Sequence, residues 1–109
     1  MAYDSQLADR VRPLMLVLGC QEKKMFGGLG FLLNGHMCVG VWKNSLIARV
    51  GPEEYDAALS RPGAKEFDIT GRAMRGWVMV EDQGLQTDDD LQRWVQRAID
   101  FVLSLPAKD

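Results

Sequence analysis

The chain has 109 residues and a mass of 12.2 kDa, which suits one hydrophobic core and leaves no room for a second. Its formal net charge of -2 argues against a protein whose main work is coating nucleic acid, because that binding depends on an excess of Lys and Arg. The apolar fraction of 47% is typical of a folded domain rather than a disordered one. We therefore expect a single domain over residues 1–109.

The cysteines and the first residues indicate the compartment. Cys20 and Cys38 are isolated and form no CxxC pair, so neither a zinc site nor a disulfide framework is expected. The N-terminus carries acids where a signal peptide has a basic start. The longest apolar run, residues 14–18, is too short to span a bilayer. We expect a cytoplasmic protein with reduced thiols and without a metal or cofactor.

The first predicted element is a helix over residues 4–18. Its apolar residues recur at helical spacing: Leu7, Val11, Leu14 and Leu18. Asp4 or Ser5 is suited to cap its first turn, and Gly19 is suited to end it. Pro13 predicts a kink, or a short helix that restarts near this residue, because proline removes one helical hydrogen bond.

Residues 22–50 change to the two-residue alternation of strands. Asn34-Gly35 predicts a type I′ hairpin turn, and Lys43-Asn44 predicts a second tight turn. The middle strand is expected to place alternate residues on opposite faces. One face would carry Met37, Val39 and Val41, and the other His36, Cys38, Gly40 and Trp42. These short connections predict an antiparallel meander of three or four strands.

A helix is predicted within residues 51–64, because Pro52 suits a first turn and Arg61-Pro62-Gly63 suits a helix end. Its inward face would carry Tyr55, Ala58 and Leu59. A short strand around Phe67, a turn at Thr70-Gly71 and a strand over residues 77–80 follow.

The closing helix is predicted to begin at the cap formed by Thr87 and the three following aspartates, and to end near Pro106. Its apolar stripe is Leu91, Trp94, Val95, Ala98, Val102 and Leu105, with Phe101 at the edge. The predicted order is α-β-β-β(-β)-α-β-β-α. It indicates an α+β, two-layer sandwich in which helices pack on one antiparallel sheet.

The glycine-rich stretch around residues 27–30 resembles a phosphate-binding loop only superficially. Gly27, Gly28 and Gly30 are not followed by Gly-Lys-Ser/Thr or by the start of a helix. Glycine in a strand usually marks a bend, a bulge or a close backbone approach. We therefore expect these residues to bend a strand that enters the hairpin at Asn34-Gly35.

No recognisable catalytic constellation is present, so an interaction protein is favoured over an enzyme. His36 is the single histidine, and Cys38 or Asp68 remains open as its partner. An enzyme alternative places Lys24, His36 and Arg49 around one cleft.

The arginines before Trp77 favour protein contact, since Arg, Met and Trp are common in interfaces. The candidate interaction residues are Lys23, Arg49, Arg72, Met74 and Arg75. A third hypothesis is DNA contact through one positive face formed by Lys23, Lys24, Arg72 and Arg75.

Four segments carry a family resemblance: EKKMFGGLGFLLNGHMCVGV, ARVGPEEYDAAL, GRAMRGWVMV and LQRWVQRAIDFVLSLP. Together they resemble the N-terminal domain of TfoX/Sxy competence regulators over about residues 3–106. The most specific element is residues 24–28. The signature positions are Lys24, Met25, Phe26, Gly27, Gly28, Gly35, Gly51, Gly71, Gly76 and Trp77.

The resemblance implies a two-layer α/β fold of the secretion-chaperone type. It also implies a regulatory role, since the family's named members control DNA-uptake competence together with the cyclic-AMP receptor protein. Those members have a second, C-terminal domain, and we expect this chain to be a single-domain relative. The family has no agreed catalytic residues. We expect a homodimer that contacts a protein partner such as a transcription regulator.

Overall fold

The computed structural model describes residues 3–25, 27–67 and 75–106. The helices are α1 (Ser5–Leu16), α2 (Tyr55–Leu59) and α3 (Asp88–Leu103). The strands are β1 (Gln21–Met25), β2 (Gly28–Leu33), β3 (His36–Trp42), β4 (Ser45–Arg49), β5 (Ala64–Glu66) and β6 (Trp77–Val80). This order confirms the predicted α+β fold with four strands in the meander.

The strands form one six-stranded antiparallel sheet in the order β1-β2-β3-β4-β6-β5. Directly paired residues share a face, so Phe31, Val39, Ala48 and Val78 form an apolar row across four strands. This face and all three helices enclose the main core. The main core includes Leu7, Val11, Met15, Phe31, Val39, Val41, Leu46, Ala48, Tyr55, Ala58, Val78, Val80, Leu91, Trp94, Val95, Ala98 and Val102.

The cap predicted for α1 is present, but the buried stripe differs from the predicted one. The carboxylate of Asp4 accepts hydrogen bonds from the backbone N–H groups of Gln6 and Leu7. The buried residues are Leu7, Ala8, Val11 and Met15. The assignment of Leu18 to this face was wrong because α1 ends two residues earlier, at Leu16. The helix continues through Pro13 without a break.

The strands of the meander are joined by tight turns. Asn34 has φ 55° and Gly35 has φ 83°, as a type I′ turn requires, so this prediction is confirmed. Lys43 also has a positive φ, 52°, in the turn between β3 and β4. Gly27, with φ 76°, lies in the turn that joins β1 to β2, where Met25 pairs with Gly28. Gly27 therefore belongs to the turn of an additional hairpin, and Gly28 and Gly30 lie in its second strand, where the prediction had a bend in a single strand.

A β-bulge changes the faces predicted for β3. Phe31 pairs with Val39 and Leu32 pairs with Met37, so Cys38 is the extra residue. Cys38 is fully buried in the main core beside Val39. The prediction that it faces away from Val39 was wrong because strict alternation does not extend through a bulge.

The later elements agree with the prediction in part: β6 has the predicted bounds, whereas β5 ends at Glu66, just before the Phe67 around which the short strand was predicted. The α2 helix is shorter than the predicted segment, although Tyr55 and Ala58 face inward as expected. The side-chain oxygen of Thr87 accepts the backbone N–H of Asp90 at 3.0 Å and caps α3. The predicted turn at Thr70-Gly71 lies outside the described residues.

Candidate interaction surface

The sheet face opposite the helices carries a second apolar cluster. Ile47, Phe67 and Met79 are buried there, and Trp42 and Trp77 are partly buried against them. The rings of Phe67 and Trp77 have centroids 6.2 Å apart and an interplanar angle of 40°. We call these five residues the open-face cluster. Within residues 3–25, 27–67 and 75–106, no helical residue belongs to it.

Two cations lie on the indoles of the open-face cluster. Cζ of Arg49 is 5.3 Å from the ring centroid of Trp77, its partner across β4 and β6. Nζ of Lys43 is 4.7 Å from the ring centroid of Trp42. A cation over an aromatic face is attracted by the negative charge of that face. Each tryptophan therefore presents an apolar ring beside a positive charge.

Basic residues also lie at both ends of the strand row that crosses this face. The row of paired residues that contains Ile47 and Met79 has Lys23 at one end and Lys65 at the other. Nζ of Lys65 lies 2.9 Å from a carboxylate oxygen of Glu81. Glu81 thus offsets the charge of Lys65, while Lys43 and Arg49 lie directly on the indole rings of the cluster.

Arg75 lies beside α2 rather than over Trp77. Its guanidinium is 3.7 Å from a carboxylate oxygen of Asp56, and its Cζ is 5.3 Å from the ring centroid of Tyr55. It also donates a hydrogen bond of 3.4 Å to the carbonyl oxygen of Pro52. The other candidate interaction residues of this segment, Arg72 and Met74, lie outside the described residues.

The structure does not bring Lys24, His36 and Arg49 together. Lys24 is in the same row of paired residues as Leu46, which lies in the main core, so Lys24 is on the helical face of the sheet. Arg49 is three residues after Leu46 in β4, and because side chains alternate along a strand it lies on the open face. Lys24 and Arg49 are also three strands apart, roughly 14 Å. Nε2 of His36 donates to the carbonyl oxygen of Pro106 at 2.7 Å. These positions give no support to the proposed catalytic cleft.

The positive face required for DNA contact is divided by the sheet. Lys23 and Lys24 are consecutive residues of β1, so their side chains lie on opposite faces. Arg75 is ion-paired beside α2, and Arg72 lies outside the described residues. The described members of this set do not form one contiguous surface.

The cysteines are buried free thiols. Burial raises the pKa of Cys38 to about 12, with a further contribution from Cys20.

Other chemistry considered from the sequence finds no support among the described residues. Asp68, which was considered as a partner of His36, lies outside them. Among the described residues, no group of three or more His, Cys, Asp and Glu side chains could hold a metal ion. None of the helices in those ranges is long and apolar enough to cross a membrane.

Comparison with protein families gives one match over most of the chain. The model of the TfoX N-terminal domain matches residues 14–102. The chain belongs to the TfoX N-terminal domain family. No curated protein and no solved structure shows a significant match to it.

In this TfoX N-terminal domain, several signature glycines lie where a side chain would collide. A Cβ on Gly28 would press on the backbone oxygen of Val41 in the next strand. Gly51 has φ 88°, and a Cβ there would strike the ring of Phe101. Gly76 has φ 93° and approaches the backbone of Gly51. These positions explain the glycines by packing, while the signature residues Phe26 and Gly71 lie outside the described residues.

The sequence interpretation missed an exposed aliphatic run at the end of α1. Val17 is 81% exposed, and its neighbours Leu16 and Leu18 are 47% and 42% exposed. The run of apolar residues 14–18 was visible, but assigning Leu18 to the helix interior concealed its exposure. Consecutive exposed aliphatic side chains are typical of a contact surface.

A cavity of about 430 Å³ lies between the β4–α2 connection and the second half of α3. Its lining residues are Val50, Gly51, Pro52, Glu53, Glu54, Arg97, Asp100, Phe101 and Ser104. Lys24, His36 and Arg49 do not line it. This cavity therefore does not support the hypothesis of an enzyme whose site is formed by those three residues.

Proposed function

We propose that this TfoX N-terminal domain is a cytoplasmic regulatory module that acts by protein–protein contact through the open-face cluster. The observation that carries the proposal is the pair of partly exposed tryptophans, Trp42 and Trp77, each with a cation on its ring. Trp and Arg are the residues most enriched among those that dominate binding energy in interfaces.

The surroundings of the cluster favour a particular kind of partner. The buried centre at Ile47 and Met79 supports the two indoles from below, so little side-chain freedom is lost when a partner binds. Lys43 and Arg49 offer positive charge at its border. A partner segment that carries apolar side chains flanked by carboxylates complements this surface.

Family membership favours a transcription regulator as the partner. The competence regulators that this domain resembles act with the cyclic-AMP receptor protein at promoters. We therefore expect the domain to bind that receptor when the receptor is bound to cyclic AMP and promoter DNA. The domain need not contact the DNA itself, in keeping with its net charge of -2.

Fluorescence anisotropy of the labelled domain, titrated with the receptor–promoter complex, tests this proposal. Lys43→Gln and Arg49→Gln each remove a positive charge from the open face and should weaken binding. Arg75→Gln removes the same charge beside α2 and is the matched control, expected to bind as the unaltered domain does. Absence of binding at tens of micromolar (well above roughly micromolar affinities), or equal loss in all three variants, contradicts the proposal.

A homodimer is the second part of the proposal, and a separate surface supports it. The exposed run Leu16–Leu18 comes just before β1, which is an edge strand of the sheet. Pairing of two β1 strands about a two-fold axis would satisfy the outer edges of both and bring two apolar runs towards one interface.

A further inference from the structure

Three arginines line one small cavity on the helical side of the sheet, away from the open-face cluster. Arg61 follows α2, and Arg93 and Arg97 lie one turn apart on α3. The cavity has a volume of about 110 Å³. Its other lining residues are Pro62, Gln83, Gly84, Asp90 and Trp94.

Packing of the chain brings these arginines together. Residues four apart on a helix are neighbours, so Arg93 and Arg97 project on the same side of α3. Trp94 is buried and fixes the rotation of the helix, and Cζ of Arg97 lies 4.9 Å from its ring centroid. A Cβ on Gly84 would contact the carbonyl oxygen of Pro62, so glycine there allows the segment after Arg61 to approach.

The three guanidiniums of this group form no ion pair with the described carboxylates, although Arg97 also lines the larger cavity that contains Glu53, Glu54 and Asp100. Within residues 3–25, 27–67 and 75–106, none of the three guanidiniums lies within 4.0 Å of a carboxylate oxygen. Asp90 is the carboxylate that shares the cavity. The pKa of Arg97 is lowered, first by partial burial and then by Arg61, while Glu54 opposes the shift and Arg93 adds to it. The lining of this cavity therefore contains three arginines and the carboxylate of Asp90.

We propose that the arginine cluster of Arg61, Arg93 and Arg97 binds a phosphate group, either free or as the ester of a small metabolite. Guanidinium groups match phosphate oxygens through paired N–H donors, and a dianion would relieve the repulsion among three like charges. One water molecule needs roughly 10–15 Å³ of cavity volume measured in this way. The cavity, at about 110 Å³, is therefore large enough for a tetrahedral oxyanion but too small for a whole metabolite. The remainder of an ester would therefore lie outside it.

Isothermal titration calorimetry with inorganic phosphate and with ribose 5-phosphate tests the proposal, with ribose as the uncharged control. NMR of the arginine Nε–Hε signals locates the site, and those of Arg93 and Arg97 should shift. We expect Arg97→Gln to weaken binding by about tenfold or more, because a charge-assisted hydrogen bond is lost. Binding of the ester alone indicates a phosphate ester as the ligand, and equal binding of both indicates a free phosphate; both results support the site.

Two further variants keep the test decisive. Arg93→Gln alters an exposed side chain and should weaken binding even if Arg97→Gln unfolds the domain. Arg12→Gln removes the same charge from α1, where Arg12 pairs with Asp9 and Glu22, and should leave the affinity within about twofold. Lack of binding by both phosphates overturns the proposal. Equal affinity in the unaltered protein and in Arg93→Gln, or equal weakening by Arg12→Gln, also overturns it.

Discussion

Arg49 and Phe101 are 52 residues apart in the sequence, yet Cζ of Arg49 lies 5.5 Å from the ring centroid of Phe101. The same guanidinium is 5.3 Å from the ring centroid of Trp77. One cation thus joins the last helix to the aromatic cluster on the other side of the sheet. Arg49 consequently has a structural role beside the role proposed in partner binding.

Replacement of Arg49 should lower the free energy of unfolding measurably. Each cation–π contact contributes about 0.5–1 kcal/mol at an exposed site, so we expect Arg49→Gln to lose about 1 kcal/mol in urea unfolding. Lys65→Gln is the control, because the exposed pair with Glu81 should contribute less than about 0.5 kcal/mol. Equal unfolding free energies for the two variants would show that the aromatic contacts of Arg49 do not stabilise the fold.

Gly28 should tolerate a side chain less well than Gly19. A Cβ on Gly28 meets a backbone oxygen that cannot turn away, so we expect Gly28→Ala to cost about 2 kcal/mol or more. Gly19 has φ 75° but no atom within 4 Å of the added Cβ, so Gly19→Ala should cost about 1 kcal/mol through backbone strain alone. Thermal and urea unfolding give both values. A Gly28→Ala protein more stable than Gly19→Ala would contradict this explanation of the signature glycine.

The buried thiol of Cys38 should make stability fall at alkaline pH. Its pKa is raised from 9.0 to about 12, so above pH 9 the unfolded chain releases a proton that the folded protein retains. Proton release on unfolding lowers the free energy of unfolding as pH rises, by at most about 1.4 kcal/mol per pH unit between pH 9 and 12. The measurement is the difference in unfolding free energy between the native protein and Cys38→Ala across this range.

Other groups also titrate at alkaline pH, and the Cys38→Ala protein corrects for them. The difference between the two proteins should shrink as pH rises from 9 to 12. A constant difference would mean that the thiol ionises equally well in the folded state. Below pH 9 both states hold the proton, so no pH dependence from Cys38 is expected there.

Dimerisation should depend on the exposed aliphatic run at the end of α1. We expect light scattering to show a dimer at tens of micromolar protein, well above a roughly micromolar dissociation constant. Val17→Asp should convert it to a monomer, because a charge would be buried in the apolar contact. Leu103→Asp is the control, since Leu103 is another exposed aliphatic residue, 55% accessible, on α3. A monomeric native protein removes the dimer proposal, and a dimeric Val17→Asp protein excludes this surface.

Local patterns in the sequence predicted the elements whose determinants are close together along the chain. Asn34-Gly35 specified a type I′ turn because both residues accept a positive φ, and Thr87 specified the start of α3 through its cap. The strand Trp77–Val80 was also predicted with the bounds that the structure has. Such features depend on residues within a few positions of each other.

The tertiary structure alone determined which distant residues meet. Pairing of β4 with β6 places Arg49 beside Trp77, and packing of α3 near the end of α2 places Arg61 beside Arg97. The bulge at Cys38 could not be predicted from the sequence either. An extra residue in β3 is recognised only from the way β3 pairs with β2. Periodicity shows which side of an element is apolar, whereas the sites proposed here arise where separate elements are brought together by strand order and helix packing.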